Sequence, residues 1–468
     1  MKVALVTLGC DKNTVDSERY LAQLLDHGAE QVRDPEQAEI IIVNTCGFID
    51  AAKRESIDAI VAAGRLKIDG AAQAVVAVGC MVERHKAELA EAIPEVDLFL
   101  GASEMDQLLP RLFEKGLIGD PAVLIGEHPG VRAYAGDTPH VRYLKISEGC
   151  DHGCAFCAIP LMRGRHRSFA PEEIVREAQL LELQGAREVS LVAQDLAHYG
   201  RDRKDGVRLP NLLEALVRET SIPWFRNLYL YSAGITPALL EVIAREPRIL
   251  RYLDMPIQHA ADRVLERMRR PERQRTIRER VARFRDAVPD LAIRTTCIVG
   301  FPGETAADFE QLMGFLEEMQ FERVGAFTYS PQEGTRAAQL VDDVPDDVKR
   351  ARLERLTELQ RAITSERYEG RVGQRARALV EAPAGVEDGS PVAARARLPW
   401  QADDIDGVTW LDVDVPAGSF VDVTVTGVVD DYDFTAMVLG VVEALPVAPR
   451  TPVSRVLPVV SVGSFGRS

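Results

Sequence analysis

Short continuous apolar runs alternate with stretches of helical periodicity over the first three quarters of the chain. VALVTLG, EIIIVNT and AVVAVG are β-branched runs without polar alternation. Such runs suit parallel strands covered on both faces. Stretches such as SERYLAQLLDHG lie between them. The alternation predicts a small open α/β domain over residues 1–125. Residues 126–140, GEHPGVRAYAGDTPH, are rich in Gly and Pro and predict a linker. From Val141 the alternation resumes with VRYLKIS, EVSLVAQD, FRNLYLYS, YLDMPIQH, AIRTTCIVG and RVGAFTYS, with a helix after Pro171. Six or so strands with intervening helices predict a full or partial barrel of the TIM type over 136–370. An amphipathic helix at roughly 345–369 ends it, with Leu353, Leu356 and Leu359 on its apolar face. Residues 371–445 change character: RARALVEA, VTWLDVDV, FVDVTVTGVV and AMVLGVV predict a small antiparallel β-barrel. Residues 446–468 carry several prolines and predict a loose tail.

A chain of 468 residues exceeds one hydrophobic core, in keeping with this division. No stretch approaches 18 uncharged apolar residues, so no membrane span is expected. The start, MKVALVTLGC, superficially resembles a lipoprotein signal. Its apolar run is short and fits a buried first strand better, so the cytoplasm is the expected compartment. The formal charge of −16 lowers the expectation of direct nucleic-acid binding and suits a basic protein partner.

Seven cysteines, an odd number, argue against a disulfide framework. Cys150, Cys154 and Cys157 lie just after the first strand of the second region, in GCDHGCAFC. Three thiolates so spaced can grip three irons of a four-iron cubane. The fourth iron is then open to a small chelating cosubstrate. A structural zinc site is the alternative; it requires a fourth ligand, for which His152 is at hand. Cys10, Cys46 and Cys80 are distant in sequence, but each ends a predicted strand beside a glycine. Neighbouring strand ends line one crevice of an open parallel sheet, so these three converge and point to a second cluster. Taken singly, each would be a buried apolar residue, the reading adopted for Cys297 inside its strand.

The CxxxCxxC spacing with Phe156 before the last cysteine resembles the radical S-adenosylmethionine superfamily. There an electron passed through the cluster cleaves S-adenosylmethionine, and the resulting radical abstracts hydrogen from an unactivated carbon. TTCIVGFPGET, residues 295–305, resembles the superfamily's Gly-rich strand end near the adenine, which implies a binding role for Gly300; Thr296 stands where a glycine is frequent. LGCDKNTVDSE, VNTCGFIDAAKRES, VGCMVERH and GCDHGCAFCAIPLMRGRHRS together resemble the methylthiotransferases over nearly the whole chain. The terminal barrel is similar to that family's substrate-docking TRAM domain. DMPIQHAADRVLERMRR, YSPQEGT, DDIDG at 403–407 and DYD at 431–433 resemble the branch that modifies an aspartate of small-subunit ribosomal protein S-twelve. Charge agrees: residues 371–445 hold 13 acidic and 5 basic residues, a net of −8. A barrel that grips RNA should instead be basic. Ala193 in AQD and Phe434 after DYD depart from the family pattern.

The resemblance implies two 4Fe-4S clusters and S-adenosyl-L-methionine as cofactors, with an external electron donor. Cys150, Cys154 and Cys157 would ligate the radical cluster, and Cys10, Cys46 and Cys80 the auxiliary one. No side chain is expected as a general acid or base, because the chemistry is radical. Phe156, Gln194, Asp195 and Gly300 are the expected cosubstrate residues, with a structural cap as the alternative for Gln194 and Asp195. His259, with Gln258, either contacts the cosubstrate or satisfies a backbone group. Arg163 and Arg165 either steady a carboxylate of cosubstrate or substrate, or form ordinary surface ion pairs. The competing functions are a transfer RNA adenosine methylthiotransferase and a non-enzymatic iron–sulfur carrier.

Overall fold

Strand Ile40–Thr45 is buried at every position, as is strand Ala74–Gly79. Continuous burial explains the unbroken apolar runs, since side chains leave a strand alternately to its two faces. In this computed structural model, which describes residues 1–120, 132–136, 138–387 and 390–443, both strands lie inside a five-stranded parallel sheet. Its order is Glu30–Gln31, Lys2–Thr7, Ile40–Thr45, Ala74–Gly79, Leu98–Gly101. Ile41, Val43, Val75 and Ala77 pack against one helical layer with Ile60. Ile40, Ile42, Val76 and Val78 pack against the other with Tyr20 and Leu24. Glu30–Gln31 and Leu98–Gly101 are strands the pattern did not predict, being only two and four residues long. Much of the expected linker, 126–131 and residue 137, lies outside the described residues, as does the expected tail, 446–468.

The second sheet has six parallel strands in sequence order: Val141–Lys145, Glu188–Val192, Trp224–Asn227, Ile249–Asp254, Ala292–Val299 and Arg323–Thr328. Its first and last strands do not pair, so it is a partial barrel. Helices such as Pro171–Leu183 and Ala306–Met319 cover one face. Proline at N1 opens the former, and a Thr305–Asp308 capping box opens the latter. On the other face Trp224, Leu228, Leu250 and Tyr252 join a single apolar core with Trp400, Phe420 and Phe434 of the third unit.

That unit is a closed five-stranded barrel, reached through the long helix Asp346–Glu369. Its pairings are antiparallel except that Thr409–Leu411 runs parallel to Asp433–Glu443. Strand Arg395–Arg397 was not predicted, and only Thr409–Leu411 of VTWLDVDV is strand. No helix among the described residues is long and apolar enough to cross a membrane.

A buried ion cluster ties the barrel to the central sheet. Glu188 pairs with Arg226 at 2.6 Å and with Arg397 at 2.8 Å, and all three side chains are essentially solvent-free. Arg226 also donates to the Pro399 carbonyl at 2.9 Å. Arg397 further meets Glu381 and, at 3.8 Å, Asp403. Two guanidiniums thus face three carboxylates. Burial, with Asp403 and Glu188 nearby, outweighs Arg397 and pushes the Glu381 carboxyl up to about 7.

Replacing Glu188 by Ala strips the counter-charge from a buried guanidinium. Urea unfolding of Glu188→Ala should show a loss of about 3–5 kcal/mol in the transition that releases the barrel. The Glu381 proton gives a second expectation. Between pH 4.5, its ordinary value, and about 7, the folded chain keeps a proton that the unfolded chain has lost. The contribution is complete below pH 4.5 and disappears as pH rises through 7. Glu381→Gln should therefore flatten the fall in melting temperature between pH 5 and 8; an unchanged slope would assign that fall elsewhere.

Candidate functional site

Three adjacent strands of the first sheet, Lys2–Thr7, Ile40–Thr45 and Ala74–Gly79, each run into a cysteine at the same end. Cys10 is the N-cap of helix Asp11–Asp26, Cys46 follows its strand directly, and Cys80 is the first residue of helix Cys80–Ala92. Glycines let the three turns close on one another. Gly9 has φ +91°, and a Cβ there would stand 2.7 Å from the Cys46 Cβ and 2.9 Å from its Sγ. Gly79 has φ +100°, and a Cβ there would stand 2.4 Å from the Asn44 side-chain oxygen. Asn13 pins the turns together, donating to the carbonyls of Leu8 (2.7 Å) and Thr45 (3.1 Å). Ser56 holds Cys46 from both sides, accepting from its N–H at 2.9 Å and donating to its carbonyl at 3.0 Å.

Cys10 is exposed, whereas Cys46 and Cys80 are buried. Burial and then the Cys10 thiol push Cys46 up to about 12. Burial pushes Cys80 up to about 11, against the opposing Arg163 guanidinium. Buried thiols of this kind ionise only when a cation compensates them, which is what a metal centre does.

Cys150, Cys154 and Cys157 sit in the loop after strand Val141–Lys145. The loop is braced by Cys150 N–H to the Gly164 carbonyl (3.1 Å) and Ala155 N–H to the Met268 carbonyl (2.9 Å). Burial again pushes Cys150 up to about 11 and Cys157 up to about 12, with neighbouring thiols of the triad adding to both. Arg270 Nη1 lies 3.7 Å from the Cys154 sulfur, and its guanidinium stacks 4.0 Å from the Tyr231 ring centre.

A single tetrahedral zinc holds its ligands at about 2.0–2.3 Å, which puts the ligand atoms within roughly 4 Å of each other. Among the described residues, the set of three candidate ligands within 4.8 Å of one another is His152, Asp195 and His198, which contains no cysteine. His152 Nε2 instead lies 2.7 Å from Asp195 Oδ2, and its ring stacks on Tyr231 at 4.2 Å. The His152 ring is thus engaged by Asp195 and Tyr231. A soft donor set of three thiols suits a polynuclear centre.

The other expected residues are distributed as follows. Phe156 packs beside the triad on a small core containing Ala155, Met268 and Phe301. Asp195 accepts from the Ala197 and Tyr231 N–H groups, both at 3.0 Å, so it is a cap as well as a partner of His152. Gln194 donates to Glu148 at 2.8 Å, while its side-chain amide oxygen is buried without a hydrogen bond among the described residues. Gly300 donates to Glu304 at 2.7 Å and packs against Lys349. His259 is fully buried and accepts from the Ala261 N–H at 2.9 Å, which is its backbone role. Gln258 bridges to Cys297, a fully buried core residue.

Arg163 and Arg165 of MRGRHR part company: Arg165 is exposed, whereas Arg163 turns inward with a side chain 4% exposed. Its Nε donates to the Cys80 sulfur at 3.1 Å, Nη1 to Asp16 at 2.6 Å and Nη2 to Asn13 at 2.6 Å. The segment that follows one thiol triad therefore reaches the other. Lys145 pairs with Asp16 and with Glu148 on the same seam. Nearby, the Lys12 amine stands 2.9 Å over the Tyr229 ring, and the Tyr229 hydroxyl donates to Asp11 at 3.0 Å. Sequence reasoning missed Arg270, Tyr231, Lys12 and Glu148. Arg270 closes the run DMPIQHAADRVLERMRR, but which of its arginines turns inward depends on the turn that follows.

Residues 2–101 match the family described as Uncharacterized protein family UPF0004, and residues 144–316 match the Radical SAM superfamily. Among solved structures, the radical S-adenosylmethionine methyltransferase TsrM from Kitasatospora setae shares the fold. Its TM-score is 0.52 at 14% identity, over 70% of this chain and 74% of that one. Curated relatives are much nearer in sequence. A protein of Anaeromyxobacter sp. (strain Fw109-5) is 46% identical over 445 residues, 94% of this chain and 93% of that protein. One of Desulforudis audaxviator is 43% identical over 94% of this chain and 97% of that protein. One of Aquifex aeolicus is 40% identical over 92% and 96%. All three are named ribosomal protein uS12 methylthiotransferase RimO. With this identity held from end to end across two cysteine-bearing α/β units and a terminal barrel, the chain belongs to the ribosomal protein uS12 methylthiotransferase family.

Proposed function

We propose that this enzyme transfers a methylthio group to the β-carbon of an aspartate in ribosomal protein uS12. The observation that carries the reading is the pair of thiol triads, each short of a fourth cysteine, joined by Arg163 across the seam between their units. Cys150, Cys154 and Cys157 would hold the radical 4Fe-4S cluster. Cys10, Cys46 and Cys80 would hold an auxiliary one. When bound, the two clusters and S-adenosylmethionine supply one-electron cleavage, a hydrogen-abstracting radical, the methyl group and the sulfur. An external donor provides the electrons.

The chain's own residues bind, orient and exclude. Phe156, in the loop of the radical triad, and Gln194, Asp195 and Gly300, which follow the strands Glu188–Val192 and Ala292–Val299, are the residues that would meet a cosubstrate. In the same loop His152 stacks on Tyr231 and is held by Asp195. No acid–base residue is required, because the β-hydrogen of an aspartate is too weakly acidic for proton abstraction at neutral pH. The acidic third unit suits a strongly basic ribosomal protein, since complementary charge steers association. The functional units under this reading are 1–125 for the auxiliary centre, 136–370 for the radical centre and 371–445 for docking. A ribosomal substrate puts the work in the cytoplasm.

The test is anaerobic reconstitution of the full chain, followed by S-adenosylmethionine, a reductant and either uS12 or transfer RNA. Mass spectrometry should find one methylthio group gained on a uS12 aspartate. A gain on transfer RNA alone would overturn the substrate assignment. Cys154→Ala should abolish deoxyadenosine formation, and unchanged formation would refute the radical site. Gly9→Ala should drive Cys10 and Cys46 apart, leaving about four irons per chain instead of about eight. Retention of the full complement would show that the amino-terminal triad is not the second iron site.

A further inference from the structure

The geometry points to Arg163 as the positioning residue that sets the reduction potential of the auxiliary centre, by donating an N–H hydrogen bond to the Cys80 sulfur. The inference rests on the proposal that Cys10, Cys46 and Cys80 hold that centre.

Arg163 is the last residue of the short helix Ile159–Arg163, six positions beyond the final cysteine of the other triad. Helix Ile159–Arg163 lies against helix Cys80–Ala92, with Ala158 and Met162 in a small core around Cys80. The guanidinium has no freedom to leave: Asp16 and Asn13 hold its Nη atoms at 2.6 Å each. Glu148, two residues before Cys150, stands 3.4 Å from Nη1. That leaves Nε–H aimed at the Cys80 sulfur from 3.1 Å, within reach of a charge-assisted bond. A donor at a ligating sulfur stabilises the more negative, reduced state of an iron–sulfur centre and raises its potential. The charge arrangement amplifies the effect. Without the guanidinium, the Asp16 carboxylate would act on the sulfur unopposed by Arg163, its charge shared with Lys145. Sulfur transfer also needs a centre whose thiolate ligands are not displaced, and a hydrogen-bonded, fixed Cys80 meets that need.

The other triad has a looser counterpart in Arg270, 3.7 Å from Cys154. A lysine at 163 would keep the charge but lose the fork that grips Asp16 and Asn13 while presenting Nε–H to sulfur.

The experiment uses the full chain with Cys150, Cys154 and Cys157 replaced by Ala, so that a single centre is observed. Iron content, circular dichroism and an electron-paramagnetic-resonance redox titration are compared for the parent, Arg163→Gln and Arg163→Lys. The parent should bind about four irons. Arg163→Gln should make reduction at least tenfold less favourable, a fall of about 59 mV for one electron, and Arg163→Lys should fall between the two. Iron retained at an unchanged potential in both variants would overturn the inference. If Arg163→Gln does not fold, Arg163→Lys alone decides, since a potential equal to the parent's refutes it. A parent that binds no four-iron centre would instead refute the auxiliary site itself.

Discussion

Ionised groups enclosed between two α/β units decide how this molecule is assembled. Helix Asp11–Asp26 of the first unit carries Asp16 and Glu18 into the seam, where Lys145, Arg163 and Arg142 of the second unit and Arg132 of the connecting segment answer them. Glu18 takes both Arg132 and Arg142, and Glu177 holds Arg132 from behind. Each of these side chains is buried, so each charge is tolerable only while its partner stays in place. Such a seam resists sliding more than an apolar one, because any displacement strands a charge. The thiol triads stand on opposite sides of it. Their mutual orientation is therefore an electrostatic matter, settled by groups that are not themselves ligands.

Arg163 illustrates how structure and chemistry share one residue. It closes the seam through Asp16 and, with the same guanidinium, touches sulfur. The exposed Arg165 two positions on does neither. Asp195 behaves in a similar double way, capping a turn with one oxygen and fixing His152 with the other.

Much of this was legible in the sequence, for identifiable reasons. The strands of both parallel sheets are buried on two faces, so their apolar runs announced them, and the glycines beside Cys10, Cys46 and Cys80 marked turns that must approach closely. The partial barrel followed from the six runs in order. What was hidden depends on tertiary partners. Leu98–Gly101 is too short to stand out, and Arg395–Arg397 ends in an arginine, Arg397, whose burial the carboxylates of Glu188 and Glu381 make acceptable. Nothing in MRGRHR distinguishes Arg163, which turns inward, from Arg165 and Arg167, which face water. Lys12 is polar in sequence yet buried over Tyr229, a residue nearly 220 positions away.

The third unit covers a face of the central sheet that bears Trp224, Leu250 and Tyr252. During synthesis these side chains emerge well before residues 375–443 exist to shelter them. For that interval the nascent chain displays an adhesive apolar surface, with both sets of thiols already made. A translation pause or truncation before the barrel would thus yield a chain with its cysteines in full and its greasiest face uncovered, an obvious client for chaperones.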